Sequence, residues 1–188
     1  MKNIFFVILA LSLVFALAGC KSSPELSDSS RMPDDIIKAF NAAPADTLVG
    51  IGTARLASLS QSMTVAQSRA RADISRQMNT MVEDMIRDYQ ASSEVDRNAA
   101  LSFQENITVS LSRSNVSGAR MVQQVTERNG TVWTVIYLDR AMIVNEITQA
   151  QAAARLAVPA MASFDAEARM NEAFARMNTG VPQARYYD

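Results

Sequence analysis

Apolar and polar positions follow this chain in blocks, each with its own period. Ile4 to Ala16 carries no charge and is almost wholly apolar, behind a single Lys2. That is the pattern of a signal-peptide apolar region. The run from Ile4 to Gly19 is shorter than the roughly 20 apolar residues a membrane span needs. Lys21 to Arg31 is rich in serine, holds Pro24 and cannot bury enough apolar surface to fold. It reads as a flexible tether, and at roughly 5–6 Å × √n it holds the rest of the chain some 15–20 Å from residue 20.

From Pro33 the periods are those of a folded domain. Asp34 to Phe40 predicts a short helix, begun by Pro33, favoured by two aspartates at its positive end, and ended by Pro44. Leu48 to Ala54 predicts a strand with Val49, Ile51 and Thr53 on one face and Gly50, Gly52 and Ala54 on the other. A strand face without side chains lets a helix or another chain approach closely. Ser62 to about Ser92 has the strongest helical signal, with Ala66, Ala70, Ile74, Met78, Met81, Met85 and Tyr89 recurring at three- and four-residue steps. Its small early residues match the glycine face of the strand, and Thr64 with Gln67 fits a capping box. Arg69, Asp73, Arg76, Glu83, Arg87 and Asp88 populate the remaining faces.

Ala99 to Ser112 supports two readings. Phe103, Ile107 and Leu111 fit a helix, whereas Ile107, Val109 and Leu111 alternating with polar residues fit a strand across 106–113. Ala119 to Asp139 predicts a hairpin about Asn129-Gly130, the preferred pair for a two-residue type I′ turn. That turn sets Thr126 opposite Trp133 and Val122 opposite Tyr137. Met121, Val125, Val132, Ile136 and Leu138 then share one face, and Val122, Trp133, Val135 and Tyr137 the other. Both faces are apolar, so a helix covering one leaves the second to another segment or another copy of the chain. Arg140 to Ala157 predicts a helix broken by Pro159, and Ser163 fits the cap of a last helix striped by Ala166, Met170, Ala173, Phe174 and Met177. This last helix is one candidate cover. The fold expected is α+β: a small antiparallel sheet of one strand and a hairpin, a long and a second helix, and C-terminal helices. The expected divisions are a leader over 1–19, a tether over 20–32, a domain over 33–158 and a helical extension over 159–188.

Composition narrows the chemistry. Among 188 residues there is no histidine and one cysteine, and the net charge is −1 with acids and bases interspersed. There is no basic footprint for nucleic acid. Without histidine, a Ser-His-Asp triad and a Cys-His pair are impossible, and the usual zinc ligands are missing. The acid pairs Asp34-Asp35 and Glu83-Asp84 fit solvated helix positions rather than a catalytic dyad. Gly50-x-Gly52 lacks the third glycine of a dinucleotide loop, since Arg55 stands there. No catalytic residue, metal, cofactor or small-molecule substrate is expected.

Leu17-Ala18-Gly19-Cys20 closes the apolar leader. The tetrapeptide resembles the lipobox of bacterial lipoproteins. The resemblance implies that the Cys20 thiol receives a diacylglyceryl group, that the chain is cut before it, and that the new amino terminus is acylated. Two or three acyl chains hold a protein durably on a membrane, which one does not. By resemblance to the lipoprotein sorting rule, Lys21 rather than aspartate after the cysteine implies outer-membrane delivery. Further along, Val49-Gly50-Ile51-Gly52, the spacing of Ala66, Ala70 and Ala72, and the hairpin from Gly118 to Leu138 resemble the Lpp-twenty type of small outer-membrane lipoprotein, over roughly Pro33 to Ile147. That family implies a dodecin-like helix-on-sheet unit and a structural or surface role. Its relatives include flagellar outer-membrane lipoproteins. The expected partners are the membrane, through Cys20, and a second copy or an envelope protein. Val122, Trp133, Val135 and Tyr137 are the candidate self-association face. A regulatory module acting on a peptidoglycan enzyme is the alternative.

Overall fold

The computed structural model describes residues 31–114, 116 and 118–179, with side chains to residue 175. The leader, Cys20 and nearly all of the tether lie outside the described residues. The chain divides at Met32/Pro33, and the helices and strands of the fold belong to the unit beginning at Pro33.

The fold is α+β. Chain order is α1 (Asp34–Asn41), β1 (Thr47–Ala54), α2 (Leu59–Ala91), α3 (Arg97–Arg113), β2 (Arg120–Thr126), β3 (Val132–Asp139), α4 (Arg140–Ala157), a 3-10 turn (Pro159–Met161) and α5 (Ala166–Thr179). The strands form one antiparallel sheet in the order β1-β3-β2. The segment read two ways is helix α3. Asp96 starts it by accepting from the Asn98 and Ala99 amides, so its serines and threonines ride on a helix surface.

One face of the sheet meets α2 almost backbone to backbone. A Cβ on Gly50 would stand 2.1 Å from the Ala70 carbonyl oxygen, and one on Gly52 would stand 2.0 Å from that of Ala66. Glycine on the strand and alanine on the helix are therefore two halves of one contact. Gly50, Gly52 and Ala54 pair with Ile136, Thr134 and Val132 of β3. That face continues into the main core, where Ile136 and Leu138 join Ile74, Met78, Phe103, Ile107, Ile143 and Ile147. The methionine stripe of α2 is core packing, not a groove.

The chain beyond Pro159 completes this core. Met161, Phe164, Met170 and Phe174 belong to the same cluster. Phe164 meets Phe103 and Tyr89 edge to face, with ring centroids 5.4 and 5.3 Å apart. Buried Gln151 clamps the approach to α5, donating to the Phe164 carbonyl and accepting from the Ala166 amide, each at 2.8 Å. Arg155 also donates to the Phe164 carbonyl. Ser163 caps nothing; its hydroxyl pairs with that of Tyr89 at 2.6 Å. Asp165 takes the capping role, accepting from the Ala168 amide.

Two further expectations change. The long helix begins at Leu59, so Thr64 lies inside it and bonds back to the Ser60 carbonyl instead of forming a capping box. The hairpin turn has three residues, not two. The Gly130 amide donates to Glu127, the Glu127 amide donates to Thr131, and only Gly130 has positive φ, at 86°. Asn129 stays outside the left-handed region and uses its side chain to accept from the Thr131 amide. A type I turn followed by a left-handed glycine therefore replaces type I′. The added residue shifts the register by one, so Val125 faces Trp133 rather than Thr134. A bulge between Met121 and Gln123 shifts the register by one more, which sets Met121 opposite Ile136 and returns it to the expected face.

Gly52→Ala is expected to destabilise the domain by about 3 kcal/mol, because its Cβ meets backbone that cannot yield. Gly130→Ala has open space around it and should cost about 1 kcal/mol, for left-handed φ alone. Urea unfolding of both variants checks the order; equal costs would contradict the close-contact account.

Candidate interaction surfaces

The two faces and two edges of the sheet are treated differently. β1 is an edge strand, yet three of its outer backbone groups are occupied by side chains of α2. Arg69 donates to the Thr53 carbonyl at 2.5 Å, Asp73 accepts from the Ile51 amide at 3.3 Å, and Gln77 donates to the Val49 carbonyl at 2.8 Å. These residues are four apart, so they form one row on the flank of α2, beside the alanine stripe. Gln77 and Arg76 also hold the Asp73 carboxylate, at 3.3 and 2.9 Å. The row reaches the strand because the glycine contact brings the helix so near. It seals an edge that would otherwise template pairing with another chain. On the opposite edge, β2 carries the bulge, a second device against edge pairing.

The second face of the sheet is divided. α1 lies against it, with Ile36 fully buried and the Tyr137 hydroxyl donating to the Ala39 carbonyl. Val49, Val135 and Tyr137 are buried on this side, and the Arg120 guanidinium stands 5.2 Å from the Tyr137 ring centre. Two of the four residues expected to form a self-association face, Val135 and Tyr137, are therefore interior. Trp133 is half-buried, with its indole N–H donating to Glu127 at 3.2 Å. Val122, the residue of the bulge, is half-buried too, as are Ile51, Thr53 and Val125. The cover on this face is the short N-terminal helix, not the C-terminal one, which belongs to the core on the other side.

A shallow depression of about 610 Å³ opens at the Thr47–Asp139 end of the sheet. Asp46, Asp139, Glu167, Arg140 and Asn171 line it. Arg140 is held there by Asn171 at 2.6 Å and by the Phe174 ring, 4.9 Å from its centre. The depression is open and offers carboxylates without a nucleophile–base pair beside them. Among the described residues no three His, Cys, Asp or Glu side chains gather where they could hold a metal ion, and no helix is long and apolar enough to cross a membrane. The acid pairs fall as the sequence placed them: Asp34-Asp35 starts α1, and Glu83-Asp84 pairs with Arg87 on the exposed side of α2.

The sealing row was missed as a unit in the sequence. Its signal is a polar residue at every fourth position, one side of the small-residue stripe, beside a strand whose own face is glycine. No protein-family model matches the chain, and no curated protein aligns with it.

Replacing Asp73 and Gln77 together with alanine should cost only about 1–2 kcal/mol in unfolding, since the two hydrogen bonds to the strand are partly wet and the Arg76 pair lost with them is exposed. The same variant should aggregate on concentration, because the β1 edge is then open. A variant that stays dispersed at high concentration would show that the row does not guard the edge.

Proposed function

We propose that the chain is a lipid-anchored lipoprotein of the Lpp-twenty type, with a structural or assembly role in the bacterial envelope, and that it is not an enzyme. The observation that carries this reading is Leu17-Ala18-Gly19-Cys20 at the end of an uncharged apolar leader. Lys21 directs the protein to the outer membrane, facing the periplasm, and the link to flagellar lipoproteins belongs to the same reading. The folded domain supports it in two ways. Its polar side chains serve the fold: Gln151, Ser62, Asp73 and Gln77 all bond backbone. Its second sheet face is closed only in part, and the strip of Ile51, Val125 and Trp133 fits a second copy of the chain. Pairing across this strip adds a contact without opening either guarded edge.

Intact-mass measurement on protein extracted from bacterial envelopes tests the anchor. The expected mass is that of a chain beginning at Cys20, increased by a diacylglyceryl group and a further acyl chain. Cys20→Ala is expected to keep residues 1–19 and gain no lipid. A wild-type chain that retains its leader and carries no lipid would overturn the reading.

A further inference from the structure

We propose that the end of the sheet formed by the loop after β1 and the hairpin tip rests on an anionic phospholipid surface. Leu56 and Leu59 are exposed there, at 46% and 51% of their full areas, with half-buried Met63 one turn beyond Leu59. Their presentation is fixed. The Leu56 amide donates to Ser62 Oγ at 2.8 Å, and that hydroxyl donates to the Ser58 carbonyl at 3.1 Å. Ser62 is itself fully buried, so the loop is pinned to the first turn of α2 while both leucines face outwards.

The charge at this end is predominantly positive. Between Asp46 and Asp73 the chain has no carboxylate, while Arg55, Arg69 and Arg71 lie in that interval. Arg55 and Arg69 are exposed, and Arg128 is exposed at the hairpin tip, which follows directly from the Ala54–Val132 pairing. The one nearby acid, Glu127, accepts from the Trp133 indole. The first turn of α2 has no acidic residue and no side-chain cap, so the positive end of a 33-residue helix adds to the arginines. The far end of the sheet carries Asp46, Asp139 and Glu167 instead. Apolar side chains that stand proud of a cationic rim match the chemistry of a lipid headgroup layer, which takes both; a soluble polyanion would use the arginines alone. The anchor reading gives the occasion for this contact, but the contact itself does not depend on Cys20.

The test uses the chain from Lys21 to Asp188, without leader or lipid, sedimented with vesicles at low ionic strength. It is expected to bind phosphatidylglycerol vesicles and not phosphatidylcholine vesicles. Replacing Leu56 and Leu59 with glutamine should lower the partition coefficient about tenfold, and replacing Arg55 and Arg128 with glutamine should lower it by at least about as much. Thermal melts that match wild type establish that the variants are folded, and Leu59→Gln alone provides a milder form. Absence of binding to phosphatidylglycerol overturns the proposal. So does binding that ignores the leucines, which would mark the arginines as a site for polyanions. Neither result bears on whether Cys20 carries lipid, so the two readings fail separately.

Discussion

The contact between β1 and α2 sets the geometry of everything else in the domain. Two missing side chains on the strand and two methyl side chains on the helix let main chain touch main chain. At any ordinary helix-to-sheet distance the Arg69, Asp73 and Gln77 side chains would fall short of the strand edge. Because the helix is close, the same element that packs one face of the sheet also closes its edge. Ser62 ties the loop between them from inside, which fixes the start of α2 as firmly as its middle. From this anchored beginning the helix runs far beyond the sheet, and its distal half, from Met78 to Tyr89, becomes the wall on which α3, α4 and the C-terminal segment assemble.

Two consequences bear on function. The sheet is finished on one side by the main core, and the apolar area the sheet itself leaves open lies in a few places, apart from exposed helix residues such as Leu101 and Leu156. One is the strip beside α1 around Trp133, and another is the leucine-bearing end of β1. Two buried polar side chains hold backbone: Ser62 in the loop before α2 and Gln151 at the entry to α5. The proposed role at a membrane and against copies of itself would use these two apolar surfaces.

The elements were legible where local chemistry alone decides them. Arg140 to Ala157 is bounded by a strand end and a proline, and the helix occupies those limits. The glycine face of β1 and the alanine stripe of α2 pointed to each other because each makes sense only as half of a close contact. The hairpin register was not legible, since Asn-Gly serves a two-residue type I′ turn and a three-residue turn alike, and the choice moved Val125 to the opposite face. The bulge at Val122 moved the register one step further and so returned Met121 to the expected face. The cover of the second face was hidden for another reason. α1 is only eight residues long, and which of several amphipathic helices claims a given face depends on chain paths that no local period records. The proposed lipid site needs no fold at all: its signal is the linear motif Leu17-Ala18-Gly19-Cys20.

Light scattering across a concentration series, on the chain from Lys21 to Asp188 and on its Trp133→Ser variant, tests the assembly reading most directly. The account predicts a closed oligomer for the wild-type chain and a smaller species for the variant, with unchanged secondary structure. A monomer for both, at every concentration, would contradict it.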